Sequence, residues 1–108
     1  MPNVIRVSIM RCQPDRFDHL KSMVAESETE LRGGLEAMPG LIAYYAGADA
    51  ATSSMTNTSV WDSLEHARQV DSFQPMLVAG KRLAAEGATF ERPIMNYETL
   101  WTIDESGS

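Results

Sequence analysis

Four segments with a strand's alternation, two helical stretches falling between the first and second and between the third and fourth of them, and a turn-rich link joining the middle pair predict an α+β domain of order βαββαβ. The strand-like segments are NVIRVSIMRC, LIAYYAGA, MTNTSVWD and RPIMNYETLWTI. This is the ferredoxin-like arrangement, in which a four-stranded antiparallel sheet carries its helices on one face. A chain of 108 residues suits a single domain with one hydrophobic core, burying roughly 65% of the surface its unfolded form exposes.

In the first segment Ile5, Val7 and Ile9 alternate against Val4, Arg6, Ser8 and Met10, the period of a strand. Pro14 then suits a first helical turn, where its missing N–H costs nothing, and Asp15 and Asp18 favour the positive end of the helix dipole. Phe17, Leu20, Val24, Leu31, Leu35 and Met38 follow at three- and four-residue steps with Ser27 in the one gap, so a long amphipathic helix is expected. Gly33 and Gly34 weaken its last turns by roughly 1 kcal/mol each relative to alanine, which predicts an early or kinked end before Pro39 and Gly40 stop it.

Residues 41–48 and 55–62 should pair as an antiparallel hairpin across the polar link DAATSS. A second helix is expected from about residue 63, with Asp62 or Ser63 as N-cap, Asp62 and Glu65 as a capping box, and Leu64, Ala67 and Val70 as its buried stripe. Pro75 divides that region into two helical pieces. The last strand is read over 92–103, so residues 1–103 form the domain and DESGS, 104–108, a polar tail. Large apolar residues fall on both faces of the strands: Tyr97, Trp101 and Ile103 against Ile94 and Leu100, and Leu41 and Tyr45 against Ile42 and Tyr44. Two helices cover only one face, which predicts a homodimer built on the other.

Fifteen acidic and nine basic residues give a charge of −6, and the basic ones are scattered and form no stripe, so neither nucleic acid nor an anionic membrane is an expected partner. Cys12 is the one cysteine; with no disulfide, no secretory leader pattern and no apolar span, the chain reads as cytoplasmic. His19 and His66 have no carboxylate at ligand spacing, and the glycines form no phosphate-cradling loop, so no metal or cofactor is expected from the motifs.

The Pro-Gly step in MPGLIAYYAGAD and the strand-to-helix step NTSVWDSLEHA, within a βαββαβ chain of this length, resemble the antibiotic biosynthesis monooxygenase domain. The likeness implies a dimeric α+β barrel, two sheets packed face to face. It also implies a cofactor-independent monooxygenase, using neither metal nor flavin, that acts on a small electron-rich aromatic or quinol-like substrate. In the quinone-forming oxygenases of that family an asparagine and a tryptophan four residues later line the pocket, which corresponds to Asn57 and Trp61 here. Their helix tyrosine and later arginine have no firm counterpart, since the matching stretches read EHARQ and Lys81–Arg82. The histidine and preceding tryptophan of the haem-degrading branch are absent from QVDSFQPMLVAGK, which disfavours haem degradation.

The candidate catalytic residues are therefore Asn57, for an oxyanion, Trp61, as a pocket wall, and His66, as a proton acceptor; Tyr44 and Tyr45, adjacent on a strand and so on opposite faces, are candidates for substrate binding. Each has a structural alternative: a polar strand residue for Asn57, a core residue for Trp61, a solvated helix flank for His66 and packing for the tyrosines. Whether the chain is an enzyme stays open at this level. The alternative function is a non-catalytic dimer of the same fold that binds a small ligand.

Overall fold

The computed structural model describes residues 2–104, so residues 105–108 of the expected tail lie outside the described residues. Strand β1 (Val4–Arg11) is central and pairs along its whole length with β3 (Ser54–Trp61), from Val4 opposite Trp61 to Arg11 opposite Ser54. Strand β2 (Leu41–Asp49) flanks β3, and β4 (Thr89–Phe90) and β5 (Met95–Glu98) share the other side of β1; every pair is antiparallel. Helices α1 (Phe17–Glu26), α2 (Glu28–Glu36), α3 (Leu64–Ala67) and α4 (Gln74–Ala85) complete the expected α+β order.

The predicted long first helix is two. It opens with a 3-10 turn at Pro14–Arg16 and breaks at Ser27, whose hydroxyl donates to the Val24 carbonyl at 2.6 Å while its N–H is shared between the carbonyls of Met23 and Val24. A serine that bonds back onto its own helix offers the chain a way to bend. The bend divides one apolar stripe between two clusters. Phe17 and Leu20 pack with Met10, Met55 and Ala88, whereas Leu31 and Leu35 pack with Val4, Trp61, Ala67 and Val70.

Helix α2 runs straight through Gly33 and Gly34 rather than ending there. Gly34 is where the aromatic ring of Phe73 closes on the helix: a Cβ at that position would lie 2.5 Å from the ring, whereas at Gly33 nothing stands within 4 Å.

The second helical region breaks before Pro75 as expected, into α3, a 3-10 turn over Arg68–Ser72, and α4. Of its predicted stripe, Ala67 and Val70 are buried but Leu64 is 40% exposed, because α3 ends after one turn and the tighter winding that follows turns the stripe away from it. The cap is Ser63, whose Oγ accepts the His66 N–H at 3.2 Å; Asp62 does not form the expected box with Glu65, because its carboxylate is taken by the His66 ring.

Two strand readings are corrected. A bulge between Leu41 and Ala43 puts Leu41 and Tyr44 on the same, helix-facing side of β2, where strict alternation separates them. The single last strand over 92–103 is instead β4 and β5; the Glu91 N–H still donates to the Ile9 carbonyl at 2.9 Å, and residues 92–94 are looped out around Pro93, which has no N–H to give to a ladder. Beyond Glu98 one further bond holds the chain to β1's start, from the Thr99 N–H to the Asn3 carbonyl at 2.8 Å, and Leu100, Trp101 and Ile103 are exposed.

The glycine pair makes an internally controlled prediction. Gly33→Ala should raise the stability to urea by about 0.5–1 kcal/mol, the helix-propensity gain, and Gly34→Ala should lower it by roughly 1–3 kcal/mol through collision with Phe73. Equal shifts of the urea midpoint for the two variants would contradict the packing of α2 on Phe73.

Candidate functional site

The centre of the sheet explains where a site can form. Residues opposite one another in an antiparallel pair point to the same face. On the helix-facing side, the ends of β1 and β3 carry Val4 opposite Trp61 and Met10 opposite Met55, each in an apolar cluster, but the middle carries Arg6 opposite Ser59 and Ser8 opposite Asn57. The helices pack down at the two ends and leave a cavity of about 570 Å³ between them over this polar middle. Tyr44 joins the floor from β2, and Val24, Leu31, Val70, Met76 and Leu83 are among the apolar lining. A second recess, of about 630 Å³, runs between α1–α2 and β2 and shares Val24, Ser27, Leu31, Tyr44 and Asn57 with the first.

Arg6 is only 5% exposed, and its Nη2 donates to Oδ1 of Asp71 at 2.8 Å. Asp71 sits on the 3-10 turn Arg68–Ser72 with its side chain 56% exposed, so the pair joins the cavity floor to solvent. A buried guanidinium without such a partner would cost several kcal/mol in lost hydration, on the order of 3–5. Burial also pushes the Tyr44 hydroxyl up to about 12, the charge of Arg6 pulling it partly back, so Tyr44 remains a protonated hydrogen-bond donor at neutral pH. Asn57 is half-buried, with Nδ2 4.0 Å from the Met76 sulfur. Ser59 accepts the Trp61 indole N–H at 2.8 Å, which leaves its own hydrogen to donate. The floor is thus rich in donors, with Asp71 as the carboxylate at its edge.

The five residues singled out from the sequence separate. Asn57 and Tyr44 line the cavity. Trp61 shares the strand face of Asn57 but is fully buried among Val4, Leu31, Leu35, Ala67 and Val70, and reaches the cavity only through its hydrogen bond to Ser59. Tyr45 lies on the opposite face of the sheet, 62% exposed.

His66 stands outside the lining, at the joint between β3 and α3. Its Nδ1 lies 2.6 Å from Asp62 Oδ1, a hydrogen bond that holds the Asp62 carboxyl below its usual range. Gly40, at φ +85°, packs against that pair, and its carbonyl accepts the Asp62 N–H at 2.9 Å. Gln69 adds a bond to the Pro39 carbonyl at 2.9 Å. This network ties the Pro-Gly turn to the helix start, with a left-handed φ that suits glycine.

Arg6, Ser8, Ser59 and Asp71 were not among the sequence candidates. Their signal was present as polar residues at alternate positions in the middle of two otherwise apolar strand faces, the arrangement that leaves a sheet centre uncovered. Among the described residues no group of three or more His, Cys, Asp or Glu is placed to hold a metal ion, and no helix is long and apolar enough to cross a membrane.

The tyrosine yields a pH prediction. Because its pKa is raised on folding from 10.0 to about 12, Tyr44 contributes stability that is fully present below pH 10 and lost as pH rises towards 12. A Tyr44→Phe protein should therefore lose less stability than the parent between pH 10 and pH 12, and should lack the last phenolate step in absorbance at 295 nm; parallel curves would contradict the burial of this hydroxyl.

No family model and no curated protein matches the chain. Solved structures do. A protein from Deinococcus radiodurans classed with the antibiotic biosynthesis monooxygenases superposes with a TM-score of 0.70 at 18% identity, covering 94% of this chain and 96% of that one. SnoaB, a cofactor-independent oxygenase from Streptomyces nogalater, was solved as an asparagine-to-alanine variant; it gives 0.66 at 18% identity over 97% of this chain and 100% of its own. A Nitrosomonas europaea protein classed with the same monooxygenases gives 0.67 at 11% identity over 92% and 91%. The chain has the fold of the antibiotic biosynthesis monooxygenases along nearly its whole length.

Proposed function

We propose that the chain is a cofactor-independent monooxygenase acting on a flat, electron-rich aromatic of the anthrone or hydroquinone type. The observation that carries this reading is the donor-rich floor of Arg6, Tyr44, Asn57 and Ser59 beneath an apolar roof, in a cavity of about 570 Å³, a size suited to a small organic molecule. SnoaB supports it as an oxygenase of this fold.

The chemistry asks little of the protein. An anthrone methylene that loses a proton becomes an anion able to reduce O₂ by one electron. The two radicals combine into a peroxide, which loses water to leave a carbonyl. In sum, CH₂ and O₂ become C=O and H₂O. On this reading the Asn57 amide and the protonated Tyr44 hydroxyl, both lining the cavity, donate to the substrate oxyanion, and the positive charge of Arg6 favours the anion in a site partly shielded from water. Asp71, exposed at the edge, is the carboxylate positioned to pass the proton to solvent. Trp61 acts as a positioning residue through Ser59, and His66 through the joint with Gly40.

Oxygen uptake with anthrones and hydroquinones tests the reading. Asn57→Ala should lower kcat by about a hundredfold, the loss of one oxyanion donor. An Asn57→Ala protein as active as the parent removes that role, and ligand binding without oxygen uptake by the parent leaves the non-catalytic binding protein as the better account.

We further propose that it works as a cytoplasmic homodimer, with two open sheet faces packed as a barrel. That face presents Ile5, Val7 and Ile9, then Val60, and the exposed Tyr45, Met95 and Tyr97, while Arg11 and Asp49 lie at one end of it. Copies of a chain carrying −6 repel one another elsewhere, and this face, apolar apart from Arg11 and Asp49 at one end, is where apolar burial outweighs that repulsion. Light scattering at micromolar concentration should give twice the chain mass, and Val7→Arg should give the monomer. A monomeric parent contradicts the dimer.

A further inference from the structure

The cavity's charge runs against that of the protein. Acids outnumber bases by fifteen to nine in the chain, yet Arg6, Lys81 and Arg92 all line the cavity against a single acid, Asp71. Among the described residues neither Lys81 nor Arg92 is in an ion pair, although Arg92 lies over the Phe90 ring, 5.2 Å from its centroid, and donates to the Glu91 carbonyl at 2.9 Å. The guanidinium of Arg6 makes one hydrogen bond among the described residues, through Nη2 to Asp71, although it carries five N–H donors in a planar fork that suits a carboxylate's two oxygens. Arg6 is 5% exposed as a residue and lines the cavity floor with Tyr44, Ser59 and Asn57, where an ionic hydrogen bond shielded from bulk water gains strength.

We propose that the cavity selects an aromatic carboxylate, its flat body under the apolar roof and its carboxylate on Arg6, and that Asp71 is the internal carboxylate this ligand displaces. The inference rests on the oxygenase reading for the nature of the flat body, and adds the charged group the substrate must bear. Arg6 is then the specificity-determining residue. Asp71 competes for it in the empty protein, and once displaced is free at the mouth to accept the proton released from the substrate. Asn57 and Tyr44 donate to the oxyanion whether or not the substrate bears a carboxylate, so an uncharged anthrone would still be oxidised, but bound less well.

Calorimetric titration under nitrogen separates binding from turnover. The probes are 1-hydroxy-2-naphthoate and 1-naphthol, which differ by the carboxylate. The parent should bind the naphthoate at least tenfold more tightly, Arg6→Met should bring the two within twofold of one another, and Asp71→Asn, by removing the competitor while keeping its shape, should tighten the naphthoate at least threefold. Equal affinities in the parent, or a preference that survives Arg6→Met, overturns the proposal. If Arg6→Met does not fold, Asp71→Asn decides, and unchanged or weaker naphthoate binding overturns it. Carboxylate preference with no oxygen uptake on any anthrone sinks the oxygenase reading and leaves this inference standing; uptake that is indifferent to a carboxylate does the reverse.

Discussion

The ion pair between the buried Arg6 and the exposed Asp71 is the constraint around which the domain is arranged. Arg6 sits in the middle of the central strand on the face the helices cover, where a hydrophobic protein would place a valine. A guanidinium there cannot be packed over by leucines, because it would lose its water without a replacement. The helices therefore reach the sheet at its two ends, through Trp61 at one and Met10 with Met55 at the other, and stand off at its middle. The break at Ser27 belongs to the same arrangement, since it lets one amphipathic stripe serve both ends. What looks like a gap in packing is a cavity of about 570 Å³ over the polar middle of the sheet.

Most of the architecture was legible because it depends on period. Alternation gave four strand positions, three- and four-residue steps gave the helical regions, and Pro75 gave the break in the second. Phase was harder. In β1 the more uniformly apolar set, Ile5, Val7 and Ile9, faces away from the helices, and the set broken by Arg6 and Ser8 faces them, because the open face also has apolar demands of its own. A bulge at Leu41–Ala43 and the loop over 92–94 change phase within a strand, and neither leaves a mark in the pattern of hydrophobicity. Ser27 read as a filler in a helix, whereas its side chain supplies the bond that bends it.

The site divides in the same way. Asn57 was visible from its spacing to Trp61 within a strand, and Tyr44 from the rule that adjacent strand residues oppose one another, although which of the two tyrosines faces inward needed the bulge. Arg6 and Ser8 were read as the polar half of an alternation, and their meaning comes only from the register that sets them opposite Ser59 and Asn57. Asp71 is sixty-five residues from Arg6 in sequence, a pairing that no local pattern announces. In NTSVWDSLEHA the asparagine belongs to the cavity, the tryptophan to the core beneath it and the histidine to the joint at Gly40. One short stretch thus carries a cavity-lining residue, its support and the anchor of its strand.

We propose that the polar floor holds a flat anion. A crystal structure of the protein grown with 1-hydroxy-2-naphthoate tests it most directly. The naphthalene should lie between the sheet and the helices, with its carboxylate on Arg6, its hydroxyl within reach of Asn57 or Tyr44, and Asp71 turned away from the guanidinium. A ligand found on the open face of the sheet, or a filled cavity with the Arg6–Asp71 pair intact, would contradict the account.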